Sequence, residues 1–300
     1  MKILLTGVTG QVGWELQRTL MPLGAVIPVG RRHMDLAQPD TIRHIIRELR
    51  PDLIVNPAAY LASDKAESEP DLAMAINGIA PGVMAEEAKR LGAAMIHYST
   101  AGVFDGNKNT PYKEEDKAEP PNIYGKTKLA GEQAIAAVGV DHLIFRINWV
   151  YGLRPREKNF LMTMLRLAEE REEIRVVDDQ FGAPTWSRMI AEVTAQILSQ
   201  SLHNTADFFA SKGGLYHLTA SGETSWYGFT KAIFEYDFQQ SQRKLKRLIP
   251  ITTQEYPTAA RRLAYSVLDN QKLSNTFGMV MPDWQIALGL LLNYNGMVTI

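Results

Sequence analysis

The chain has 300 residues, of which 45% are hydrophobic and 22% charged, and its formal net charge is −1. This composition is typical of a globular protein, and so small a net charge favours neither nucleic acid nor an anionic membrane as a partner. No apolar run reaches the about 20 residues that cross a bilayer, and the opening MKILLTG lacks a secretory signal pattern, so we expect a cytoplasmic protein. Because there is no cysteine and the six histidines show no metal-ligand spacing, we expect no disulfide, thiolate chemistry or metal site.

The first half of the chain alternates short apolar strands with amphipathic helices. Strands are predicted over 2–7, 25–31, 52–56, 93–100 and 142–152, and helices over 12–24, 39–50, 70–92 and 126–138. Nearly continuous apolar strands between helices indicate a parallel sheet that is covered on both faces. The predicted fold class is therefore α/β, a Rossmann-type doubly wound parallel sheet with right-handed crossovers.

The pattern changes after about residue 150, where helix, strand and loop segments are mixed. Helices are predicted over 160–172 and 188–200, a strand and loop over 176–186, and a further strand over 214–220. We expect two domains: residues 1–150 as an NAD(P)-binding Rossmann domain and residues 151–300 as a smaller C-terminal α/β substrate-binding lobe. Segments of 176–220 are expected to return to the first domain.

The segment TGVTGQVG places Gly7, Gly10 and Gly13 between the first strand and the first helix. In a dinucleotide-binding turn, successive glycines allow the tight turn, the approach of a pyrophosphate to the backbone, and the packing of the helix on the sheet. A phosphate would then bind the free N–H groups at the helix N-terminus. The strand before and the helix after the motif favour dinucleotide binding over an ordinary turn.

The end of the second strand, VGRRHMDL, carries the residues that select between the two dinucleotides. An arginine here accommodates the 2′-phosphate of NADP, whereas an acidic residue binds the ribose hydroxyl of NAD. Arg31 and Arg32 come first and Asp35 follows. We therefore predict NADPH as the cofactor, with NADH also accepted, and expect one of the two arginines to be only a solvated surface charge.

Hydroxyl and amine groups suited to acid–base chemistry occur in two segments, MIHYST and IYGKTKLAGE. In the second segment Tyr124 and Lys128 are four residues apart and share one face of a helix. A neighbouring ammonium stabilises a phenolate, so we expect Lys128 to lower the pKa of Tyr124 from its usual value of about 10. The first segment ends in the hydroxyls of Ser99 and Thr100, while His97 within it is expected to be a buried core histidine.

These motifs, in this order, resemble those of the dTDP-4-dehydrorhamnose reductase family within the extended short-chain dehydrogenase/reductase superfamily. The resemblance extends over nearly the whole chain, and also rests on the segments DKAESEP, FRINWVYG, DQFGAPT and GLYHLTASGETSWYGF. It implies the NADPH-dependent reduction of the C4 ketone of dTDP-4-dehydro-6-deoxy-L-mannose to dTDP-L-rhamnose. Tyr124 would donate the proton, Lys128 would hold the nicotinamide ribose, and Thr100 or Ser99 would bind the carbonyl oxygen.

The resemblance further implies which residues line the cofactor and substrate sites. For the cofactor they are Gly7, Gly10, Gln11, Val12, Gly13, Arg31, Asp35, Leu36, Asn56, Ala58, Ala59, Tyr60, Asn77, Tyr124 and Lys128. For the nucleotide-sugar substrate they are Thr100, Ala101, Tyr124, Trp149 and Arg261. Either Arg261 or its neighbour Arg262 is expected to bind phosphate, since arginine binds phosphate in a bidentate manner.

Several positions depart from the family pattern. Where the family reads STDYVF this chain reads STAGVF, so that Ala101 and Gly102 stand in place of an aspartate and a tyrosine. Further unusual residues near the expected substrate are Leu61, Ser63, Leu263 and Tyr265. Because a lost hydrogen-bond partner changes specificity strongly, these departures bear on the choice of substrate more than on the chemistry.

Some members of the family form dimers around a divalent ion. Glu15 matches one of the ligands, but Arg188 stands where a second glutamate is expected, so we predict no such metal site and leave a homodimer open. Two other functions also stay open at this point: a reductase or epimerase of another nucleotide sugar, and a non-catalytic dinucleotide-binding subunit similar to the methionine adenosyltransferase beta subunit. The intact Tyr124 and Lys128 argue against the second of these.

Overall fold

The computed structural model describes residues 1–153, 159–202, 204–237 and 243–296. Its strands are β1 (Lys2–Leu5), β2 (Ala25–Pro28), β3 (Leu53–Asn56), β4 (Ala94–Thr100), β5 (His142–Ile147), β6 (Val150–Tyr151), β7 (Glu173–Val177), β8 (Phe181–Gly182), β9 (Thr185–Trp186), β10 (Gly214–His217), β11 (Thr224–Ser225) and β12 (Arg247–Ile251). Its α-helices are α1 (Gln11–Leu20), α2 (Pro39–Leu49), α3 (Ser63–Ala66), α4 (Pro70–Met74), α5 (Ala80–Leu91), α6 (Ile123–Val138), α7 (Phe160–Glu170), α8 (Ser187–Ser199), α9 (Thr205–Lys212), α10 (Trp226–Tyr236), α11 (Gln271–Phe277) and α12 (Trp284–Gly296).

Six parallel strands form the central sheet in the order β10-β5-β4-β3-β1-β2. Successive residues of β1 point to opposite faces, as the period of a strand requires. Ile3 and Leu5 pack with Leu16 of α1 and with α8 on one face, while Leu4 packs with Ile42 of α2 and with α5 and α6 on the other. Helices on both faces confirm the predicted doubly wound α/β fold.

The C-terminal part of the chain contributes to the sheet and also forms a second apolar cluster. Strand β10 pairs with β5 at the edge of the sheet, and α8 packs against α1. Helices α7, α10 and α12 pack around a separate cluster that includes Leu161, Phe229 and Leu288. Beside this cluster the strands form short two-stranded pairs, β6 with β9, β7 with β12 and β8 with β11.

Two predicted elements are interrupted in the structure, and both interruptions lie at the expected site. The helix predicted over 70–92 contains a π-helical turn at Ala75–Ile79 between α4 and α5. The strand predicted over 142–152 ends at Ile147 and resumes as β6, with Trp149 between them at φ +42°. Such departures from regular backbone geometry are common at functional sites. In the described parts of the chain, none of the helices combines the length and apolar character that a membrane crossing needs.

Candidate active site

The glycine loop between β1 and α1 is pressed against the segment that follows β3. Gly7 has φ +56°, and a Cβ atom on it would lie 2.8 Å from the backbone nitrogen of Ala58. A Cβ atom on Gly13 would lie only 2.1 Å from the carbonyl oxygen of Gly7, so α1 can begin here only with glycine at this position. The loop therefore leaves the N-terminal N–H groups of α1 directed to the edge of the sheet where an anion can bind.

A cavity of about 260 Å³ lies between this loop, the end of β2 and the segment after β3. Of the predicted cofactor residues, its lining includes Gly7, Gly10, Arg31, Asp35, Leu36, Ala58 and Ala59. The Asp35 carboxylate lies 3.9 Å from the Arg31 guanidinium and accepts a hydrogen bond from the Ala37 backbone at 3.0 Å. Because the walls combine a glycine cradle, apolar surface and an exposed arginine, they fit an adenine dinucleotide.

Two predicted cofactor residues direct their side chains elsewhere. Gln11 donates a hydrogen bond to the carbonyl oxygen of Val150 at 3.2 Å and accepts one from Asn159 at 3.2 Å, which ties α1 to the start of α7. Val12 is buried in the apolar cluster that also contains Ile3, Leu5 and Leu16. For both residues, only the backbone can take part in binding a phosphate at the N-terminus of α1.

The π-helical turn brings Asn77 under the segment after β3. Its side chain accepts a hydrogen bond from the Tyr60 backbone nitrogen at 2.8 Å and donates one to the Tyr60 carbonyl oxygen at 3.0 Å. It also donates to the Thr127 hydroxyl of α6 at 3.2 Å. Tyr60 in turn donates its hydroxyl to Glu69 at 2.7 Å. Asn77 therefore fixes both a wall of the cofactor cavity and the helix that carries Tyr124, and its side chain is fully committed to the protein.

Ser99 and Thr100 separate into two environments at the end of β4. The Ser99 hydroxyl donates a short hydrogen bond to Glu132, which also pairs with Arg146 at 2.6 Å, and all three side chains are buried. The Thr100 hydroxyl accepts a hydrogen bond from the Gly102 backbone at 3.0 Å and lies near enough to Tyr124 to influence its pKa. Ser99 was predicted as an alternative carbonyl ligand, but its hydroxyl is engaged with Glu132, and Thr100 alone of the two faces Tyr124.

Tyr124 lies in the first turn of α6, which begins at the Asn122 cap. The Asn122 side chain accepts a hydrogen bond from Gly125 and donates one to the carbonyl oxygen of Arg261, each at 2.8 Å. Burial raises the pKa of Tyr124, and the neighbouring Thr100 hydroxyl acts in the opposite direction. A phenol with a raised pKa stays protonated at neutral pH, which suits a proton donor.

Lys128 is one helical turn further on and only 1% exposed. Its ammonium group donates a hydrogen bond to the carbonyl oxygen of Tyr98 at 2.7 Å and lies 3.3 Å from Nε2 of His97. Burial lowers the pKa of Lys128 to about 8, and the charge of Glu132 opposes that shift. The expectation that Lys128 lowers the pKa of Tyr124 is wrong in this structure, because burial of the phenol dominates and the amine is turned to β4.

The two departures in STAGVF lie in different surroundings. Ala101 was expected to line the substrate pocket, but it is fully buried in an apolar cluster with Phe104, Tyr112 and Tyr265. A Cβ atom on Gly102, by contrast, would lie 3.3 Å from the Thr100 hydroxyl oxygen and 3.5 Å from the Tyr124 ring. Gly102 therefore borders the reactive groups, while Ala101 supports them from behind.

Trp149, the residue with φ +42° between β5 and β6, forms an aromatic pair with Trp226. The rings of Trp149 and Trp226 are stacked, with centroids 3.5 Å apart and an interplanar angle of 11°. Sequence reasoning selected Trp149 but not Trp226, although both lie in segments, FRINWVYG and SWYGF, that are specific to the resembled family. A flat aromatic surface of this kind is suited to contact with a nucleotide base.

The two adjacent arginines near the C-terminus have different environments. Arg262 pairs with Asp64 at 2.6 Å, and the other oxygen of that carboxylate accepts a hydrogen bond from the Ala260 backbone at 3.0 Å. The side chain of Arg261 is exposed. Arg188 of α8 lies 3.5 Å from Glu15 of α1, the residue that matches a metal ligand in the family. Within the described ranges, no group of histidine, aspartate and glutamate side chains is arranged to hold a metal ion.

Comparison with known proteins decides the family. The model of the RmlD substrate binding domain matches residues 1–296. The chain belongs to this family. A dTDP-4-dehydrorhamnose reductase of Burkholderia thailandensis is 49% identical over 97% of both chains, which confirms the resemblance seen in the sequence.

Solved structures of the family are similar over the whole chain. A dTDP-4-dehydrorhamnose reductase of Clostridium acetobutylicum is 34% identical with a TM-score of 0.89, covering 99% of this chain and 100% of its own. One from Bacillus anthracis, in complex with NADP, is 34% identical with a TM-score of 0.85 and covers 98% and 99%. The NADP in the structure of this relative agrees with a dinucleotide site at the glycine loop between β1 and α1.

Proposed function

We propose that this protein is an NADPH-dependent reductase that converts the C4 ketone of dTDP-4-dehydro-6-deoxy-L-mannose to the alcohol of dTDP-L-rhamnose. The observation that carries the proposal is that the hydroxyl-bearing side chains of Thr100 and Tyr124 lie together beside Gly102 at the carboxyl end of β4, the same edge of the sheet as the glycine cradle. The identity of 49% to a curated reductase of this name favours this function over another nucleotide sugar and over a non-catalytic subunit.

NADPH, when bound, supplies the hydride to C4 of the sugar. Tyr124 and Thr100 then determine what happens at the carbonyl oxygen, since both hydroxyls can donate to it. As negative charge develops on that oxygen, Tyr124 transfers its proton and Thr100 keeps a hydrogen bond to it. The raised pKa of Tyr124 keeps the phenol protonated before this step.

The remaining residues position the two ligands. Lys128 holds the nicotinamide ribose, and the exposed Arg31 faces the 2′-phosphate that distinguishes NADPH from NADH. Arg261, which is exposed beside the Arg262–Asp64 pair, binds the pyrophosphate of the nucleotide sugar. Trp149 offers its ring to the substrate at the base or sugar.

We infer from the same assignment that residues 1–150 bind NADPH and that most of residues 151–300 form the substrate lobe. Two observations support this division: the cavity beside the glycine loop is lined by residues of the first part, and the separate apolar cluster belongs to the second. β10 and α8 are the segments of the second part that pack on the sheet.

The test is NADPH consumption by the purified protein against a panel of nucleotide 4-keto-sugars, with Tyr124→Phe as the matched variant. We expect turnover with dTDP-4-dehydro-6-deoxy-L-mannose and a loss of about 100-fold or more in kcat for the variant, because phenylalanine retains the ring but not the proton. Turnover confined to a different sugar, or NADPH binding with no hydride transfer to any of them, would refute the proposal.

A further inference from the structure

A line of buried polar side chains connects the cofactor cavity to Lys128. It consists of Thr6, Asn56, His97 and Lys128, and none of these is more than 2% exposed. Thr6 lines the cavity directly after β1, and Asn56 and His97 are paired residues of β3 and β4. The line thus crosses three neighbouring strands beneath the site, and the function proposed above uses only its last member.

The hydrogen bonds along this line have one direction. The Thr6 hydroxyl donates to Oδ1 of Asn56 at 2.6 Å, which leaves the amide nitrogen of Asn56 facing Nδ1 of His97 at 3.1 Å. An amide nitrogen only donates, so Nδ1 must accept, and a neutral His97 then carries its proton on Nε2. Nε2 lies 3.3 Å from Nζ of Lys128, so its N–H group points at that nitrogen.

This direction matters because an ammonium group has no lone pair with which to accept a hydrogen bond, whereas a neutral amine has one. The amine can accept from His97 and still donate to the carbonyl oxygen of Tyr98, at 2.7 Å. Burial holds the pKa of His97 well below its ordinary value, which keeps the imidazole neutral. Every hydrogen bond of the line is therefore satisfied when Lys128 is an amine.

Two other ionisable groups, Glu132 and Tyr124, lie on the same helix as Lys128, and neither makes direct polar contact with its Nζ. Glu132, one turn further along α6, favours the ammonium form by its charge. That carboxylate is already neutralised by Arg146 at 2.6 Å and 2.9 Å, and it also accepts from Ser99. Tyr124, on the same helix, is protonated and adds no charge. Only His97 makes direct polar contact with Nζ through a side chain among the described residues.

We propose that His97 is a positioning residue that favours the neutral amine of Lys128 over the ammonium form before NADPH binds, through the line of donors that begins at Thr6. Ribose hydroxyls favour the ammonium form, which offers three donors. Above the Lys128 pKa of about 8, binding of NADPH therefore takes up a proton from solvent at Lys128. The inference rests on the proposed function for the identity of this cofactor, but the donor line itself does not.

The first test needs neither cofactor nor substrate. Protein with 15N-labelled histidine has six imidazoles, and the ring signals of His97 are assigned by their loss in His97→Leu and by their displacement in Lys128→Met. We expect a neutral ring with the proton on Nε2 in the wild-type protein. A proton on Nδ1, or a charged ring, would reverse the direction of the line and overturn the proposal.

The second test measures NADPH affinity against pH for wild type, His97→Leu and Met95→Ala. Met95 is a buried residue on the same face of β4 that packs in an apolar cluster, so its variant controls for a loss of stability alone. Wild-type affinity should fall as pH rises through the Lys128 pKa of about 8. In His97→Leu the opposing donor is gone, so the fall should begin about one pH unit higher, whereas Met95→Ala should follow wild type.

Each outcome of this second test has a consequence. If the NADPH affinity of His97→Leu falls at the same pH as that of the wild type, or at a lower pH, the proposal is wrong. If NADPH fails to bind at any pH, the proposed function fails, while the tautomer of His97 still decides the inference about Lys128.

Discussion

Ser99 and Thr100 are consecutive residues of β4, and their hydroxyl groups meet two different residues of the same helix, α6. Ser99 donates to the buried Glu132, which Arg146 also binds, whereas Thr100 lies beside Tyr124. Glu132 and Tyr124 are eight residues, about two turns, apart on α6, so the two hydroxyls reach different levels of one helix face. One hydroxyl therefore stabilises the protein and the other takes part in the proposed reaction.

The first prediction separates these two roles. Thr100→Val keeps the shape of the side chain and removes its hydroxyl, so kcat should fall about 10- to 100-fold with little change in Tm. Ser99→Ala leaves Glu132 with one donor fewer in a buried site, so stability should fall by about 1–3 kcal/mol with a smaller effect on kcat. Steady-state kinetics and urea unfolding on both variants test this, and the reverse pattern would show that the roles are exchanged.

The second prediction concerns the glycine cradle. In Gly13→Ala the new Cβ atom would lie 2.1 Å from the carbonyl oxygen of Gly7, so the loop must move away from α1 and NADPH affinity should fall at least about tenfold. Gly24→Ala is the matched control, because its Cβ atom would lie 2.2 Å from the carbonyl oxygen of Met1, away from the cavity.

NADPH titration and thermal unfolding of the two glycine variants measure the difference. Both should lose stability, but only Gly13→Ala should lose NADPH affinity. Equal affinities for the two variants would mean that the loop does not hold the dinucleotide.

The sequence was sufficient for the chemistry that depends on local spacing. The glycines between a strand and a helix, and the pair of Tyr124 and Lys128 one helical turn apart, are patterns with a fixed geometry, and the structure has both. The helix that carries the pair begins at Ile123, three residues before its predicted start at 126. Features that depend on distant contacts were not predictable. The sequence does not show that Ser99 donates to Glu132 while Thr100 lies beside Tyr124, or that Ala101 lies in an apolar cluster with the distant Tyr265.

The same limit applies to the irregular backbone. The sequence 70–92 has a continuous helical pattern, and nothing in it marks the π-helical turn that places Asn77 against Tyr60. The stack of Trp149 on Trp226 joins two segments that lie far apart in the chain. The pKa of Tyr124 was predicted in the wrong direction because its burial could not be known from the spacing to Lys128.

The third prediction is an acid sensitivity that arises from His217. This side chain is fully buried, and burial, with a smaller effect of Arg146, lowers its pKa to about 3. In the unfolded chain this histidine binds a proton below about pH 6.5, whereas in the folded chain it stays neutral. Above about pH 6.5 it is neutral in both states and does not reduce the stability. As the pH falls from about 6.5 to 3, the free energy of unfolding should decrease by about 1.4 kcal/mol per pH unit on account of this residue.

Urea unfolding at several pH values tests the effect of His217. His217→Gln should flatten the decrease between pH 6 and 4 by about one proton's contribution. His33→Gln, at an exposed position, should leave the slope as in the wild type. An equal slope for wild type and His217→Gln would mean that the histidine is protonated in the folded protein.

The fourth prediction distinguishes Ala101 from Gly102, the two departures in STAGVF. Ala101→Asp places a carboxylate in an apolar cluster with Phe104 and Tyr265, whose hydroxyl already donates to Glu223 at 2.6 Å. The free energy of unfolding should therefore fall by more than about 3 kcal/mol, because a buried charge without a partner is strongly destabilising. Simple restoration of the family's aspartate is expected to fail for this reason.

Gly102→Ala, in contrast, adds a methyl group 3.3 Å from the Thr100 hydroxyl oxygen and 3.5 Å from the Tyr124 ring. Both neighbours belong to the proposed site, so the variant should alter the KM for the sugar nucleotide about two- to tenfold with a change in Tm much smaller than that of Ala101→Asp. Kinetics and thermal unfolding of the two variants decide the matter. If Ala101→Asp keeps the wild-type Tm and changes only KM, residue 101 faces the substrate, and the prediction that the apolar cluster excludes a charge at this position is wrong.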